Sequence, residues 1–303
     1  MRIILIGQAA FAEKVLDGLR ERQHEVLALY CPPDAGGRVD PVKARALALG
    51  IPVRQHRTLK SAEVQHEFAA LAADLAVLAY VTQIVPPSVF ETPRLGSICF
   101  HPSLLPRYRG GSAINWQIIN GETETGVSVF WVDPGIDTGP ILVQKRATIR
   151  LHDTAGSLYY DTLFPLGVQA VLEAVELIAA GNAPRLSQDE SQATYDPLCR
   201  DEHVAVDWSR RVAAIYNLIR GSDPQPGAYT LWRGEKLRLY DAALVSGVQL
   251  RPGVIGQISA DGWLIGASDG GILVKRVRAG EKKVDAAVFA MNQGITAGTM
   301  LAA

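Results

Sequence analysis

Two stretches of this 303-residue chain concentrate side chains that can move protons. The first runs Cys99-Phe100-His101-Pro102-Ser103-Leu104-Leu105-Pro106-Arg107-Tyr108-Arg109-Gly110-Gly111-Ser112, and the second Asp133-Pro134-Gly135-Ile136-Asp137-Thr138-Gly139. In each, a titratable residue stands where an apolar run gives way to Pro and Gly. A histidine leaving a strand, its exit fixed by Pro102, and Asp137 in a stiff Pro/Gly loop suit a positioned acid/base pair. Cys99 and His101 lie two apart on an expected strand and so share a face. That spacing also permits a thiolate nucleophile activated by the imidazole. Plainer readings stand beside these. A strand-end histidine can be a satisfied structural side chain, Asp137 a turn residue, and Cys99 a small buried apolar filler; for Cys99 the filler reading is the favoured one. Arg107, Arg109 and Arg150 could hold an anion, although loop arginines are most often solvated.

The elements around these stretches follow from apolar spacing. Residues 2–6 form a short apolar strand, and Phe11, Val15, Leu16 and Leu19 recur at helical spacing after it. Further strands are expected at 25–30, 75–79 and 97–100, with helices at 41–49 and 62–73. Strands alternating with helices mean βαβ units and a mainly parallel sheet, an α/β class of fold. A helix over 112–119, strands at 126–132 and 141–149, and a long helix over 154–180 capped by Asp153 complete the first part. Pro165 inside that helix predicts a kink or break. Residues 182–203 are polar and irregular and read as a linker. Beyond it, one helix (209–220) precedes five short strands at 228–232, 237–244, 253–259, 263–267 and 272–277, the pattern of a small barrel. The expected division is therefore 1–181, a linker at 182–203, and 204–303.

Composition narrows the function. Thirty basic and 31 acidic side chains leave a net charge of −1, which argues against sequence-blind nucleic-acid binding over the whole surface. The balance is uneven: residues 1–203 carry −5 and residues 204–303 carry +4. A mildly basic C-terminal part could face an anionic partner. Three scattered cysteines with no C-x-x-C pair argue against a disulfide framework or a thiolate metal site, and a cytoplasmic location is the simplest expectation. No signal-like segment and no membrane span are expected. Gly7-Gln8-Ala9 does not make a G-x-G-x-x-G loop, so a nicotinamide role has little support.

The run HPSLLPRYRGGSAINW, followed by GETETGVSVFWVDPGIDTGPIL, resembles the formyltransferases that use 10-formyltetrahydrofolate. Methionyl-tRNA formyltransferase, the sugar-nucleotide N-formyltransferases and the hydrolase domain of 10-formyltetrahydrofolate dehydrogenase belong to that family. The MRIILIGQ start and the segment IYNLIRGSDPQPGAYT extend the likeness over nearly the whole chain. The resemblance implies a Rossmann-like formyltransferase domain with a mainly parallel sheet, followed by a small OB-like β-barrel domain. It implies His101 and Asp137 as catalytic residues, with Cys99 where the family places an Asn. It also implies folate contacts from Gln83, Ile84 and Val85 on one loop and from Val132, Asp133, Gly135 and Ile136 on another, and no metal.

An amide beside the formyl carbon can donate to a developing oxyanion and orient an amine, whereas a thiol is a weak donor. Cys99 thus shifts the expectation toward the hydrolase domain, which also lacks that Asn. Water then attacks the formyl carbon of 10-formyltetrahydrofolate, Asp137 takes its proton, and His101 steadies the oxyanion and protonates N10. Two rival readings remain: transfer to an amine on methionyl-tRNA or an amino sugar nucleotide, and a non-catalytic folate-binding module.

Overall fold

The protein, seen here as a computed structural model, is described over residues 1–302. In chain order it forms β1 (Arg2–Gly7), α1 (Ala9–Glu21), β2 (Glu25–Cys31), α2 (Pro41–Ala48), β3 (Val53–Gln55), α3 (Ala62–Ala70), β4 (Leu75–Ala79), α4 (Pro87–Phe90) and β5 (Ser97–His101). Then come α5 (Ala113–Ile119), β6 (Glu124–Trp131), β7 (Ile141–Thr148), α6 (Ala155–Ser157), a π-helical turn (Leu158–Leu163) and α7 (Phe164–Ala179). The remainder holds α8 (Val212–Gly221), β8 (Tyr229–Trp232), β9 (Glu235–Val245), β10 (Ile255–Ser259), β11 (Gly262–Gly266), β12 (Gly271–Arg278), β13 (Val284–Asp285) and α9 (Ala286–Gln293).

These elements make two compact units, and neither is a continuous segment. The first comprises Met1–Gly111, Thr125–Ala147 and Tyr160–Tyr195; the second comprises Ser112–Glu124, Thr148–Tyr159 and Asp196–Ala303.

The first unit is built on a seven-stranded sheet in the order β3-β2-β1-β4-β5-β6-β7. β1 to β5 pair in parallel, and β6 runs antiparallel to β5. Strands β1 and β4 are buried almost throughout, as central strands covered on both faces must be. The chain leaves β1 and continues from β4 on opposite sides, so the strand order reverses between them, the place where open α/β sheets bind ligands. One carboxylate organises that end. Asp40 accepts from Val42 N at the start of α2 and from Ala9 N at the start of α1, each at 3.0 Å. Two helix N-termini thus share one compensating charge. On the far face, Phe100 stacks on Phe11 of α1 at 4.3 Å between centroids, and Phe11 meets Phe164 of α7 edge-on at 5.5 Å. This packing fixes β5 from behind and leaves Cys99 and His101 on the other face.

The long helix differs from its expectation in two details. Thr154, not Asp153, is the cap: its hydroxyl accepts from Ser157 N while Ser157 Oγ accepts from Thr154 N. The break expected from Pro165 is a widened π turn over Leu158–Leu163, which moves the backbone away from the proline ring's clash with the preceding turn. The whole run Ala155–Ala179 has a window of mean hydropathy 1.5 and is long and apolar enough by composition to cross a bilayer, which the sequence reading did not foresee. Its apolar stripe, including Val171, Leu172, Val175 and Ile178, is spent inside the first unit's core.

In the second unit, β10-β11-β12-β9-β8 form an antiparallel sheet in which the β8-β9 hairpin and the β10-β11-β12 run meet through β9 and β12, with β13 added beside β12. The two edges are joined by the C-terminal segment. Leu231 on β8 exchanges backbone bonds with Ala302 at 2.9 and 3.1 Å, while Leu301 N donates to Gly253 O and Ile255 N to Thr299 O, each at 2.9 Å. The sheet is thereby closed into a barrel, the OB-like form expected, around Trp263, Ile265, Leu239 and Val274. β3 and α9 had no sequence forecast.

Candidate active site

His101 is the last residue of β5 and is 5% exposed. Its Nε2 lies 2.7 Å from the carbonyl of Tyr108. A carbonyl only accepts, so Nε2 carries a proton. Nδ1 then faces Asp137 Oδ2 at 3.5 Å. If the ring is neutral, Nδ1 is a lone pair aimed at a carboxyl group; if charged, it is an N–H aimed at a carboxylate. A single proton therefore sets the state of the pair. Asp137 Oδ2 also accepts from Gly110 N at 2.8 Å, which joins the two sequence stretches directly.

The loop that delivers Asp137 takes a path the sequence did not reveal. β6 is antiparallel to β5, with Trp131 opposite Ile98 and Ser128 opposite His101. The 133–139 loop therefore leaves β6 beside the start of β5 and must double back to reach its end. Asp133 tightens the fold, with Oδ1 accepting from Gly135 N at 3.1 Å and from Thr138 Oγ1 at 2.6 Å. Gly139 packs so closely that a Cβ there would lie 1.7 Å from the carbonyl oxygen of Trp131. Asp137 itself has φ +56°, a left-handed conformation costing about 1–2 kcal/mol for most L-residues and tolerated best by Asn and Asp. A strained residue of this kind persists only where its surroundings fix it.

The loop after His101 is equally pinned. Ser128 Oγ donates to Ser103 O at 2.7 Å and accepts from Leu105 N at 3.2 Å, and Gln144 Nε2 donates to Leu105 O at 3.0 Å. Tyr108 N donates to Thr194 Oγ1 at 2.7 Å, and Arg109 N to Thr194 O at 2.9 Å. Thr194 comes from the segment read as a linker. That segment is not a spacer over its first part. Leu186 bridges Ile141, and Gln188, Glu190, Thr194 and Tyr195 all bond to the two loops. Arg109, 1% exposed, is not solvated as a loop arginine usually is. Glu190 and Tyr195 surround its guanidinium, and these bonds push its pKa up.

Cys99 lies on the same face as His101, packed with Val81, Val85 and Val132 against an apolar cluster that includes Ile6, Tyr30 and Leu78. Burial, with the Asp137 charge second, drives its thiol pKa far up. Both effects oppose the thiolate that a nucleophile requires, so the geometry favours the filler reading.

The residues expected to touch folate lie on two loops. Gln83 Nε2 donates to His56 O at 3.3 Å, and its neighbour Ile84 is 69% exposed. On the other loop Ile136 is 60% exposed, while Val132 N is bound to Ser97 O at 2.8 Å. Both loops therefore expose an isoleucine beside a half-buried valine, Val85 on one and Val132 on the other. An open cleft at the ends of β1, β2 and β4 is lined by Gly7, Gln8, Tyr30, Tyr80 and Gln83, among others. The Tyr30 hydroxyl is buried with no hydrogen-bond partner, and burial raises its pKa to about 12. Among the described residues, no group of three His, Cys, Asp or Glu side chains is arranged to hold a metal ion.

Comparison with known proteins decides the family. A formyl transferase family model matches residues 1–175, and a model of the formyl transferase C-terminal domain matches residues 199–294. The chain belongs to the formyl transferase family. It is 38% identical over 301 residues to cytosolic 10-formyltetrahydrofolate dehydrogenase of Homo sapiens, covering 94% of this chain and 33% of that protein. It is 39% identical over 308 residues to methionyl-tRNA formyltransferase of Geobacter sulfurreducens, covering 99% of this chain and 96% of that protein. The formyl transferase chain described here thus spans about a third of the dehydrogenase's length and nearly all of the transferase's. Among solved structures, the sugar 3N-formyl transferase WlaRD shares the fold with a TM-score of 0.72 at 19% identity, over 90% of this chain and 97% of that one.

Proposed function

We propose that this formyl transferase family member removes the formyl group from 10-formyltetrahydrofolate, with water as the acceptor. The observation that carries the reading is the His101–Asp137 pair, 3.5 Å apart, with the far ring nitrogen held by the Tyr108 carbonyl. With Nε2 so engaged, the reacting side of the ring is Nδ1, and water and the formyl oxygen meet the pair along the edge that Nδ1 and Asp137 Oδ2 share. Water attacks the formyl carbon and its proton passes to the Asp137 carboxylate. The C=O electrons move to oxygen, and the protonated Nδ1 of His101 stabilises that oxyanion. On collapse the C–N10 bond breaks and N10 takes a proton from His101; tetrahydrofolate and formic acid leave, the acid loses its proton to solvent as formate, and the proton on Asp137 passes back to His101 to reset the pair. The pteridine binds between the Gln83–Val85 and Val132–Ile136 loops, its apolar faces against Ile84 and Ile136, with backbone groups reading its edge.

Similarity to the dehydrogenase and the absence of an amide at position 99 favour water. A second reading, formyl transfer to an amine on methionyl-tRNA or an amino sugar, is favoured by the match to the transferase over nearly the full length of both chains. In that reading the +4 charge of residues 204–303 attracts the anionic acceptor.

Tetrahydrofolate release from 10-formyltetrahydrofolate, followed spectrophotometrically with and without methionyl-tRNA or amino-sugar nucleotides, tests both. Release by the protein alone is expected. A requirement for added amine would refute water as the acceptor, and tight folate binding without any release would make the protein a binding module. The location proposed for it remains the cytoplasm.

A further inference from the structure

The polar run Ser187-Gln188-Asp189-Glu190-Ser191-Gln192 has no role in the family motifs, yet one of its side chains touches the backbone of Asp137. Gln188 Nε2 donates to the carbonyl of Asp137 at 2.9 Å and to that of Gly139 at 2.7 Å. Its Oε1 accepts from Arg109 Nε at 3.2 Å and from Nη2 at 2.7 Å. Every polar position of the carboxamide is filled, and only this orientation of the amide fills them all. Arg109 is in turn fixed by Glu190, through Nη1 to Oε2 at 2.9 Å and Nη2 to Oε1 at 2.6 Å, and by the Tyr195 hydroxyl at 2.9 Å. The buried guanidinium therefore aims the carboxamide, and the carboxamide holds the one residue of the pair whose backbone is left-handed.

We propose that Gln188 is the positioning residue of the acid/base pair: it clamps the Asp137 and Gly139 carbonyls, keeping the Asp137 carboxylate on Gly110 N and opposite His101 Nδ1. The inference rests on the reading of His101 and Asp137 given above. Gln188 touches no reacting atom in this scheme. It acts through the loop, so its loss alters the rate of the chemical step and the state of His101 more than folate binding.

Two substitutions separate the parts of the clamp. Gln188→Glu keeps an acceptor for Arg109 but has no donor for the two carbonyls. Gln188→Met keeps the length and loses both sets of bonds, and serves as a second probe should the glutamate variant fold poorly. For folded variants, kcat for tetrahydrofolate release is expected to fall about 10–100-fold, the scale of a misplaced catalytic group. KM for 10-formyltetrahydrofolate should change by less than about threefold, since uniform binding is intact. The ring ¹⁵N shifts of His101 and their pH midpoint should move, because its carboxylate neighbour has left. Wild-type kcat with unchanged His101 shifts in either folded variant overturns the proposal. Asp137→Asn is measured beside them: wild-type turnover there removes the acid/base reading itself, while the His101 shifts in the Gln188 variants still decide whether the clamp exists.

Discussion

At the scale of single residues, His101 and Asp137 are prepared by their neighbours before any substrate arrives. Replacing either with Ala is expected to lower turnover about 10²–10⁴-fold, the usual worth of a positioned general acid or base, in a steady-state assay of tetrahydrofolate release. Cys99 should behave differently. Burial and the Asp137 charge hold it as the thiol through neutral pH, so Cys99→Ala should retain turnover, and the native thiol should alkylate slowly at pH 8. Rapid alkylation coupled to loss of activity would restore the nucleophile reading. His101 and Asp137 were legible because strand-end His-Pro and a Pro/Gly loop are local patterns, given weight by the family likeness. Gln188 was not, because nothing in a polar run shows which carbonyls its carboxamide will meet once the chain has folded. Arg109 was not legible for the same reason: loop arginines are solvated on average, and this one is an exception through its tertiary partners Gln188, Glu190 and Tyr195.

At the scale of elements, the loop after His101, the 133–139 loop and residues 186–195, which strap across both, form one hydrogen-bonded unit around the end of β5. Gly139 is the tightest point. Gly139→Ala forces a methyl onto the Trp131 carbonyl and should cost at least about 1–3 kcal/mol, the range for overpacked sites, read as a lower urea midpoint together with reduced turnover. The strap has a pH signature. Bonds from Arg109 hold the Glu190 carboxyl below the usual glutamate range. A depressed folded-state pKa contributes stability above the unfolded value and loses it as pH falls through the folded value. The difference in urea midpoint between wild type and Glu190→Gln should therefore be present at pH 7 and vanish under acid conditions below the usual glutamate range. A difference that stays constant into acid would mean that the ion pair does not anchor the strap. The parallel strands were legible because buried strands are continuous apolar runs. The doubling back of the 133–139 loop was not, since it follows from the antiparallel direction of β6, and alternation within a strand carries no record of its neighbour's direction. The strap looked like a linker because its bonds come from polar side chains, not from apolar periodicity.

At the scale of the whole molecule, the second unit satisfies its sheet edges by long-range closure, whereas the first unit's sheet is open, with β3 at one edge. In the second unit the closing segment is anchored by Leu301, which is 3% exposed. Leu301→Ala should cost about 2–5 kcal/mol, as for other buried leucines, measured as a lower melting temperature of the second unit. An unchanged melt would mean that the segment rests on the barrel without supporting it. The small barrel was legible from five short strands with turn residues between them. Its closure was not, because residues 298–302 have no strand-like alternation and enter the sheet through isolated bridges.

The interrupted make-up of the two units bears on how the chain is born. The last piece of the first unit ends at Tyr195, and two pieces of the second, Ser112–Glu124 and Thr148–Tyr159, precede it in sequence. During synthesis the sheet and both reactive loops emerge before the strap, so the ribosome exposes a nearly finished first unit whose Asp137 has no clamp until Gln188 follows. The two early pieces must meanwhile wait for the last piece of their unit, Asp196–Ala303. A protein laid out in this way cannot trade its second unit for another by a single cut and join, since any one cut strands a segment on the wrong side.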